Sequence, residues 1–369
     1  MNIENFQTFF DCGFSKVRAG TFNIDNNAQA FYAESEFFTD QSNLELKIQK
    51  IVTSLEKESN EYIDNISLMV DSSKMISVGI SLSKKLDGFR LKQANIQFLV
   101  QEAKQQILKY YANYNIVHII INNYKIDGID YSYLPDEIKC DFISLDIFFI
   151  CLPTDLVFYL KSIFSKSNIL VDQIICSSYV KSLNYKDSLN LTGYVSFIDI
   201  GFNKTSIISY LNDKFLSLNT LPIGGNHITK DISKILDIDL VSAEQIKLSF
   251  DQNYKFVNED NISIDTLQKI ILARTEEILE LCAKSRGANS LWLDQSKIVL
   301  TGDGSKILGN NYKDKISFPN DLDCLEETLE DICHSGFKFG SGINKQEVVV
   351  IPKKQIKQGF FEKLFHFFR

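Results

Sequence analysis

The sequence predicts an α/β protein of at least two domains, on three observations. At 369 residues the chain exceeds what a single ordinary hydrophobic core organises. Three apolar runs each end in a turn that carries an acidic residue and glycine: FFDCGFSKVRAG at 9–20, VSFIDIGFNKTSII at 195–208 and IVLTGDGSKILG at 298–309. Between these strand-like units lie segments whose apolar residues recur with a helical period.

Each of the first two runs predicts a hairpin whose turn offers backbone N–H groups to phosphate while its Asp faces a cation. A lone Asp-x-Gly is a common hairpin turn, so the weight lies in the order and spacing of the set. Strand-like runs near 66–82, 118–122 and 142–150 surround a predicted amphipathic helix at 93–111, whose apolar stripe is Ile96, Leu99, Val100, Ala103, Ile107, Leu108 and Tyr111. Together they predict a compact α/β insert over about 73–152. The segment LPIGGNHITKDISKILDIDLVSAEQIK (221–247) pairs a Gly-Gly turn with a helix start, Asn226 reading as the cap, and a second helix bearing Glu244 and Lys247. Residues 266–283 predict a further helix with Leu267, Ile270, Ile271, Arg274, Ile278, Leu279 and Cys282 along one side. The third run should open from its glycine turn onto a helix.

Composition narrows the class. A 44% apolar and 23% charged chain fits a soluble globular protein. No apolar run approaches the roughly 20 residues that span a bilayer, and the first residues lack the basic start of a signal peptide, so a cytoplasmic protein is expected. Seven cysteines without CxxC spacing read as structural thiols in a reducing compartment, and four isolated histidines make a metal site of protein ligands improbable. The net charge of −8 is uneven: six basic and two acidic residues from Lys345 onward give +4 and leave −12 on 1–344. An acidic body argues against nucleic-acid binding, and a basic end points to an anionic surface. After a linker at 342–358 the chain ends in FFEKLFHFFR. At about 100° per residue, Phe360, Phe361, Leu364, Phe365, Phe367 and Phe368 share an arc of about 160°, as in a helix that lies in a membrane interface. The alternative is a terminal helix packed on the body or on a partner subunit.

The segments FFDCGFSKVRAG, FIDIGFNKTSI, PIGGNHITKDI, AEQIK, ILARTEEILEL and IVLTGDGSKILG, in this order and followed by an amphipathic end, resemble the bacterial cell-division protein family FtsA. The resemblance implies an actin-like α/β fold with two lobes around a nucleotide cleft, and an inserted subdomain called 1C. It divides the chain into subdomain 1A (1–72 and 153–190), 1C (73–152), 2A (191–225 and 291–341), 2B (226–290), a linker (342–358) and a membrane-targeting helix (359–369). It further implies ATP with Mg²⁺ as cofactors and self-assembly into filaments on the cytoplasmic face of the cell membrane at the division site. The partners would be the C-terminal tail of FtsZ, met by 2B, and other division proteins.

Carried onto this sequence, the resemblance places Gly13, Phe14, Ser15 and Lys16 at the β- and γ-phosphates, with Asp11 holding Mg²⁺ through water. Gly201, Phe202, Asn203, Lys204 and Thr205 stand at the second phosphate turn, with Asp199 beside the cation and the attacking water as the catalytic residue. Glu244 and Lys247 reach ribose and adenine, and Gly302, Asp303, Gly304 and Ser305 approach the base from the other side. Without these motifs, Glu244 and Lys247 would read as a surface i,i+3 pair. The family has a run of small residues where this chain has Gly201-Phe202-Asn203-Lys204-Thr205-Ser206. Phe202 disfavours a left-handed turn, and Lys204 can replace lost N–H contacts with a point charge. Nucleotide binding is therefore expected to survive while hydrolysis is slow or absent. Two other functions are compatible with the pattern: a PilM-like protein of type IV pilus assembly, and an ATPase or kinase of the same fold.

Overall fold

The computed structural model describes residues 6–25, 29–39, 42–135, 138–249, 264–285, 297–308 and 322–341. The predicted linker at 342–358 and the aromatic helix at 359–369 lie outside them. Strands and helices follow in the order β1 (Phe6–Cys12), β2 (Val17–Asn23), β3 (Ala30–Glu34), α1 (Leu44–Ser59), β4 (Asn65–Val70), β5 (Ile76–Lys85), α2 (Gln93–Tyr110), β6 (Tyr114–Ile126), β7 (Ile129–Tyr131), β8 (Phe142–Pro153), α3 (Thr154–Lys166), β9 (Leu170–Cys176), α4 (Ser177–Ser188), β10 (Tyr194–Ile200), β11 (Thr205–Leu211), β12 (Lys214–Leu221), α5 (Gly225–Leu236), α6 (Leu240–Ser249), α7 (Ile264–Ser285), β13 (Lys297–Thr301), β14 (Leu322–Cys324) and α8 (Leu329–Gly340). The predicted helix after the third glycine turn is a short 3-10 helix, Asp303–Leu308.

Two compact units divide these elements, one made of residues up to 74 and 161–341, the other of 75–160. The larger unit contains two five-stranded sheets built to one plan. Their strand orders are β3-β2-β1-β4-β9 and β12-β11-β10-β13-β14. In each, the first three strands in sequence form an antiparallel meander, the fourth joins its first strand in parallel and the fifth lies parallel to the fourth. The duplicated plan sets Asp11 and Asp199 at matching positions, one residue before the end of β1 and of β10.

The apolar residues that predicted these strands are the buried ones: Phe9, Phe10, Phe197, Ile198 and Ile200 are each at most 1% exposed. α8 closes over the first sheet, where the rings of Phe22 and Phe337 stack at 4.5 Å. Its approach depends on Gly20, because a Cβ there would stand 2.8 Å from the Cβ of Cys333. On the second sheet, α5, α6 and α7 share a core of Ile228, Ile232, Ala243, Leu267 and Ile271. The stripe predicted for α7 is buried except for Arg274, which instead pairs with Asp231 of α5 at 2.5 Å.

The smaller unit is an antiparallel sheet in the order β5-β8-β6-β7 with α2 against it. Ile96, Leu99, Val100, Ala103 and Ile107 form the buried face of α2. Leu108 and Tyr111, predicted on that face, are exposed at 44% and 37%. Leu108 falls to the side of the Ile96–Ala103–Ile107 line, and Tyr111 lies just past the last helical residue. All seven cysteines are free thiols. Among the described residues no helix is long and apolar enough to cross a membrane.

Filling the space under Gly20 tests the docking of α8. Gly20→Val should destabilise the larger unit by about 1–3 kcal/mol through overpacking against Cys333 and Phe22, read as a lower thermal midpoint. An unchanged midpoint would mean that α8 does not pack on β2 in this way.

Candidate functional site

The two matching hairpins close with the same four-residue turn, Gly13-Phe14-Ser15-Lys16 and Gly201-Phe202-Asn203-Lys204. Gly13 N donates to Lys16 O at 3.0 Å and Gly201 N to Lys204 O at 2.9 Å. Neither Phe202 nor Asn203 has a positive φ. A four-residue turn of this kind needs no left-handed residue at those positions, so Phe202 carries no backbone strain there. The third turn does need its glycine: Gly302 has φ +87°, and a Cβ there would meet Ile200 O at 2.5 Å.

The three turns line one cavity of about 80 Å³. Asp11, Gly13, Phe14, Ser15, Lys16, Asp199, Gly201, Phe202, Lys204, Gly302 and Asp303 of the predicted residues reach it. Asn203, Thr205, Glu244, Lys247, Gly304 and Ser305 do not line it. Thr205 and Ser305 turn their hydroxyls to backbone carbonyls, those of Ile223 and Gly302, each at 2.7 Å. Asn203 accepts a hydrogen bond from Asn226 Nδ2 at 2.8 Å.

Arg18, Asp71, Ser177, Lys181 and Glu327 also line the cavity, and sequence reasoning gave them no role. Asp71 follows β4, the strand parallel to β1, and Ser177 and Lys181 lie one turn apart at the start of α4. Glu327 precedes α8. The available signal was modest: Asp71 follows the apolar strand ISLMV, as Asp11 and Asp199 sit at the ends of theirs.

These side chains make a buried ion network. Lys204 Nζ lies 2.8 Å from Asp71 and 3.9 Å from Asp199, and donates to Ser206 Oγ at 2.6 Å. Lys181 Nζ lies 3.3 Å from Asp199 and 3.0 Å from Glu327. Arg18 pairs with Asp303 and, at 3.6 Å, with Asp11, which also accepts from Ser177 Oγ at 2.7 Å. Burial alone would lower the Lys204 and Lys181 ammonium values, but the carboxylates beside them hold both above the usual 10.5. Burial alone would raise Asp71, yet Lys204 and then Lys181 hold it below 3.8. Asp11 and Glu327 stand above their ordinary values, burial being the main cause.

Next to the second turn, the start of α5 is capped by the turn itself. Gly225 N donates to Gly201 O at 2.9 Å and Asn226 N to Phe202 O at 2.8 Å. The helix cap is Gly224, not the Asn226 that the sequence suggested, because only glycine can lie so close to these carbonyls: a Cβ on Gly224 would meet Phe202 O at 2.8 Å. Two N–H groups of this helix start are thus bonded within the chain. Glu244 and Lys247 form a pair at 2.6 Å, only 4% exposed each, and so not a surface pair. Lys247 also donates to Thr229 Oγ1 at 2.8 Å and Gly225 O at 3.1 Å, and its ammonium lies 5.8 Å from the Phe202 ring. Burial holds Lys247 below 10.5 despite Glu244.

A family model described as cell division protein FtsA matches residues 196–333, from β10 into α8 and so across the second and third turns. The cell division protein FtsA of Buchnera aphidicola subsp. Acyrthosiphon pisum is 24% identical over 351 residues, covering 83% of this chain and 82% of that protein. The FtsA of Bacillus subtilis is 36% identical over 132 residues, 32% of this chain and 30% of that protein. The chain is thus similar to FtsA-family proteins, at the low identities of a divergent relative. Its fold is similar to that of a solved PilM-PilN type IV pilus biogenesis complex, with a TM-score of 0.57 at 12% identity and 90% of each chain covered. The architecture is actin-like, with the duplicated sheet plan described above.

The actin-like fold generally takes nucleotide with a divalent metal, and the residues here can be tested against that. As direct ligands they do not suit the metal. Asp199 already faces two ammonium groups and Asp11 a guanidinium and a hydroxyl. Among the described residues there is no group of three His, Cys, Asp or Glu placed to hold a metal ion. The rim is different in character, since Ser15 and Lys16 are part-exposed and Lys16 pairs only loosely with Glu34, at 3.6 Å.

Removing Lys204 tests the network. Lys204→Met leaves Asp71 and Asp199 buried and short of positive charge, and should cost about 3–5 kcal/mol. Adding Asp71→Asn should recover most of that. Because the folded-state value of Lys204 is raised, its contribution is fully present below pH 10.5 and lost as pH rises through the raised value. The melting-temperature gap between wild type and Lys204→Met should therefore hold through neutral pH and narrow above 10.5. A gap that is the same at every pH would refute the ion pair.

Proposed function

We propose that this chain is an FtsA-family scaffold of the division site that holds ATP without turning it over rapidly. In this reading it self-assembles on the cytoplasmic face of the membrane and tethers the FtsZ tail. The observation that carries it is the family match over 196–333, which contains the second hairpin, the α5–α6 helices and the third turn. On this assignment the phosphates meet the rim formed by Gly13–Lys16 and Gly201–Lys204, and the base lies toward Gly302–Ser305, near Glu244 and Lys247.

The ion network supports holding over turnover. A general base must present a free carboxylate to a water. Asp199 is engaged by Lys181 and Lys204, so it is a poor base for attack on a phosphoryl group. The cavity of about 80 Å³ corresponds to the phosphate end alone, since Glu244, Lys247, Gly304 and Ser305 do not line it. Membrane attachment rests on the aromatic face of Phe360, Phe361, Leu364, Phe365, Phe367 and Phe368 beside local lysines. The subdomain division given above is part of the same proposal.

Two measurements bear on this. Full-length protein should bind ATP while phosphate release stays near background, and rapid release abolished by Asp199→Ala would refute the holding role. Full-length protein should co-sediment with anionic vesicles and a chain ending at Lys354 should not; equal sedimentation would remove the tether.

A further inference from the structure

We propose that Lys204 is a built-in replacement for a divalent cation: its ammonium, lodged between Asp71 and Asp199, supplies the positive charge that a bound metal would otherwise bring to this end of the cavity. The inference rests on the reading of the cavity as the phosphate end of a nucleotide site, and it concerns the charge balance of that end.

The duplication within the chain makes the argument. The two turns share the pattern Gly-Phe-x-Lys, yet their lysines differ. The Lys16 side chain is 30% exposed, whereas that of Lys204 is 7% exposed. The hairpin register explains the difference. In β1–β2 the residue facing Asp11 is Arg18, so the first half carries its own cation on the strand. In β10–β11 the residue facing Asp199 is Ser206, which is neutral. The turn supplies a cation here: Lys204 folds inward, donates to Ser206 at 2.6 Å, pairs with Asp71 at 2.8 Å and lies 3.9 Å from Asp199, which Lys181 meets at 3.3 Å.

Metal chemistry argues the same way. Mg²⁺ takes oxygen ligands at roughly 2.0–2.1 Å and Ca²⁺ at roughly 2.3–2.6 Å. Lys204 faces Oδ2 of Asp71 at 2.8 Å, and on Asp199 Lys181 and Lys204 share the same oxygen, Oδ2, at 3.3 Å and 3.9 Å. A metal would have to expel a buried ammonium whose pairing is already satisfied. Five carboxylates and four cationic side chains line the cavity, so the charge is nearly balanced by the protein alone.

The test uses Mn²⁺ alone, with the full chain and no nucleotide, following the free-ion signal by electron paramagnetic resonance. Its outcome is therefore independent of whether ATP binds. Lys204→Ser should bind Mn²⁺ at least about tenfold more tightly than wild type, since a unit charge about 4 Å away contributes several kcal/mol at an effective dielectric near 20. Adding Asp199→Asn should abolish the gain. If the serine variant does not fold, Lys204→Gln carries the same comparison with a longer neutral side chain. Failure of the folded variant to gain affinity would overturn the proposal. So would tight Mn²⁺ binding by wild type that Asp199→Asn removes.

Discussion

The buried chain of charges Asp71–Lys204–Asp199–Lys181–Glu327 is the constraint on which the rest of the site depends. Its members come from the end of β4, the β10–β11 turn, β10, α4 and the segment before α8. Each must arrive with its partner, because a buried charge left alone costs several kcal/mol whereas a satisfied pair adds little net stability. The network therefore acts chiefly on geometry. It ties the end of β4 and α4 to β10 and its turn, around the cavity that the turns line.

The same constraint accounts for the composition of the second turn. A lysine directed outward, like Lys16, would leave Asp199 and Asp71 facing Lys181 alone. With Lys204 inward, the turn needs neither a glycine run nor a left-handed residue, and its carbonyls are free to cap α5. Phe202 then stands between Phe37, at 5.4 Å, and the Lys247 ammonium. One substitution pattern thus alters charge, capping and packing together. Asp199, faced by two ammonium groups, is poorly placed to activate water.

Much of the fold was legible in the sequence because its signals are local. Apolar runs ending in Asp-x-Gly gave both hairpins, and helical periodicity gave α2 and α7 to within a few residues. The dependence of α8 on Gly20 was not legible, since it arises from close approach to a strand far away in the chain. The cavity was legible at its turns, which carry Asp11, Lys16, Asp199, Lys204 and Asp303, and illegible in Arg18, Asp71, Lys181 and Glu327. Lys181 and Glu327 are 146 residues apart, and nothing in either neighbourhood names the other. Glu244 and Lys247 stand one turn apart as the sequence places them, but their pairing and their burial against Thr229 depend on how α6 meets α5. Asn226 gave the wrong cap because cap preference is local, while the choice of Gly224 is set by the carbonyls of a separate loop.

The central claim is that the protein itself completes the charge at the phosphate end of this site. ATP affinity of the full-length chain, measured by calorimetry in Mg²⁺ and again in excess EDTA, tests it most directly. The account predicts dissociation constants that agree within about threefold, under 1 kcal/mol. Loss of about a hundredfold or more on removing the metal, close to 3 kcal/mol, would contradict it.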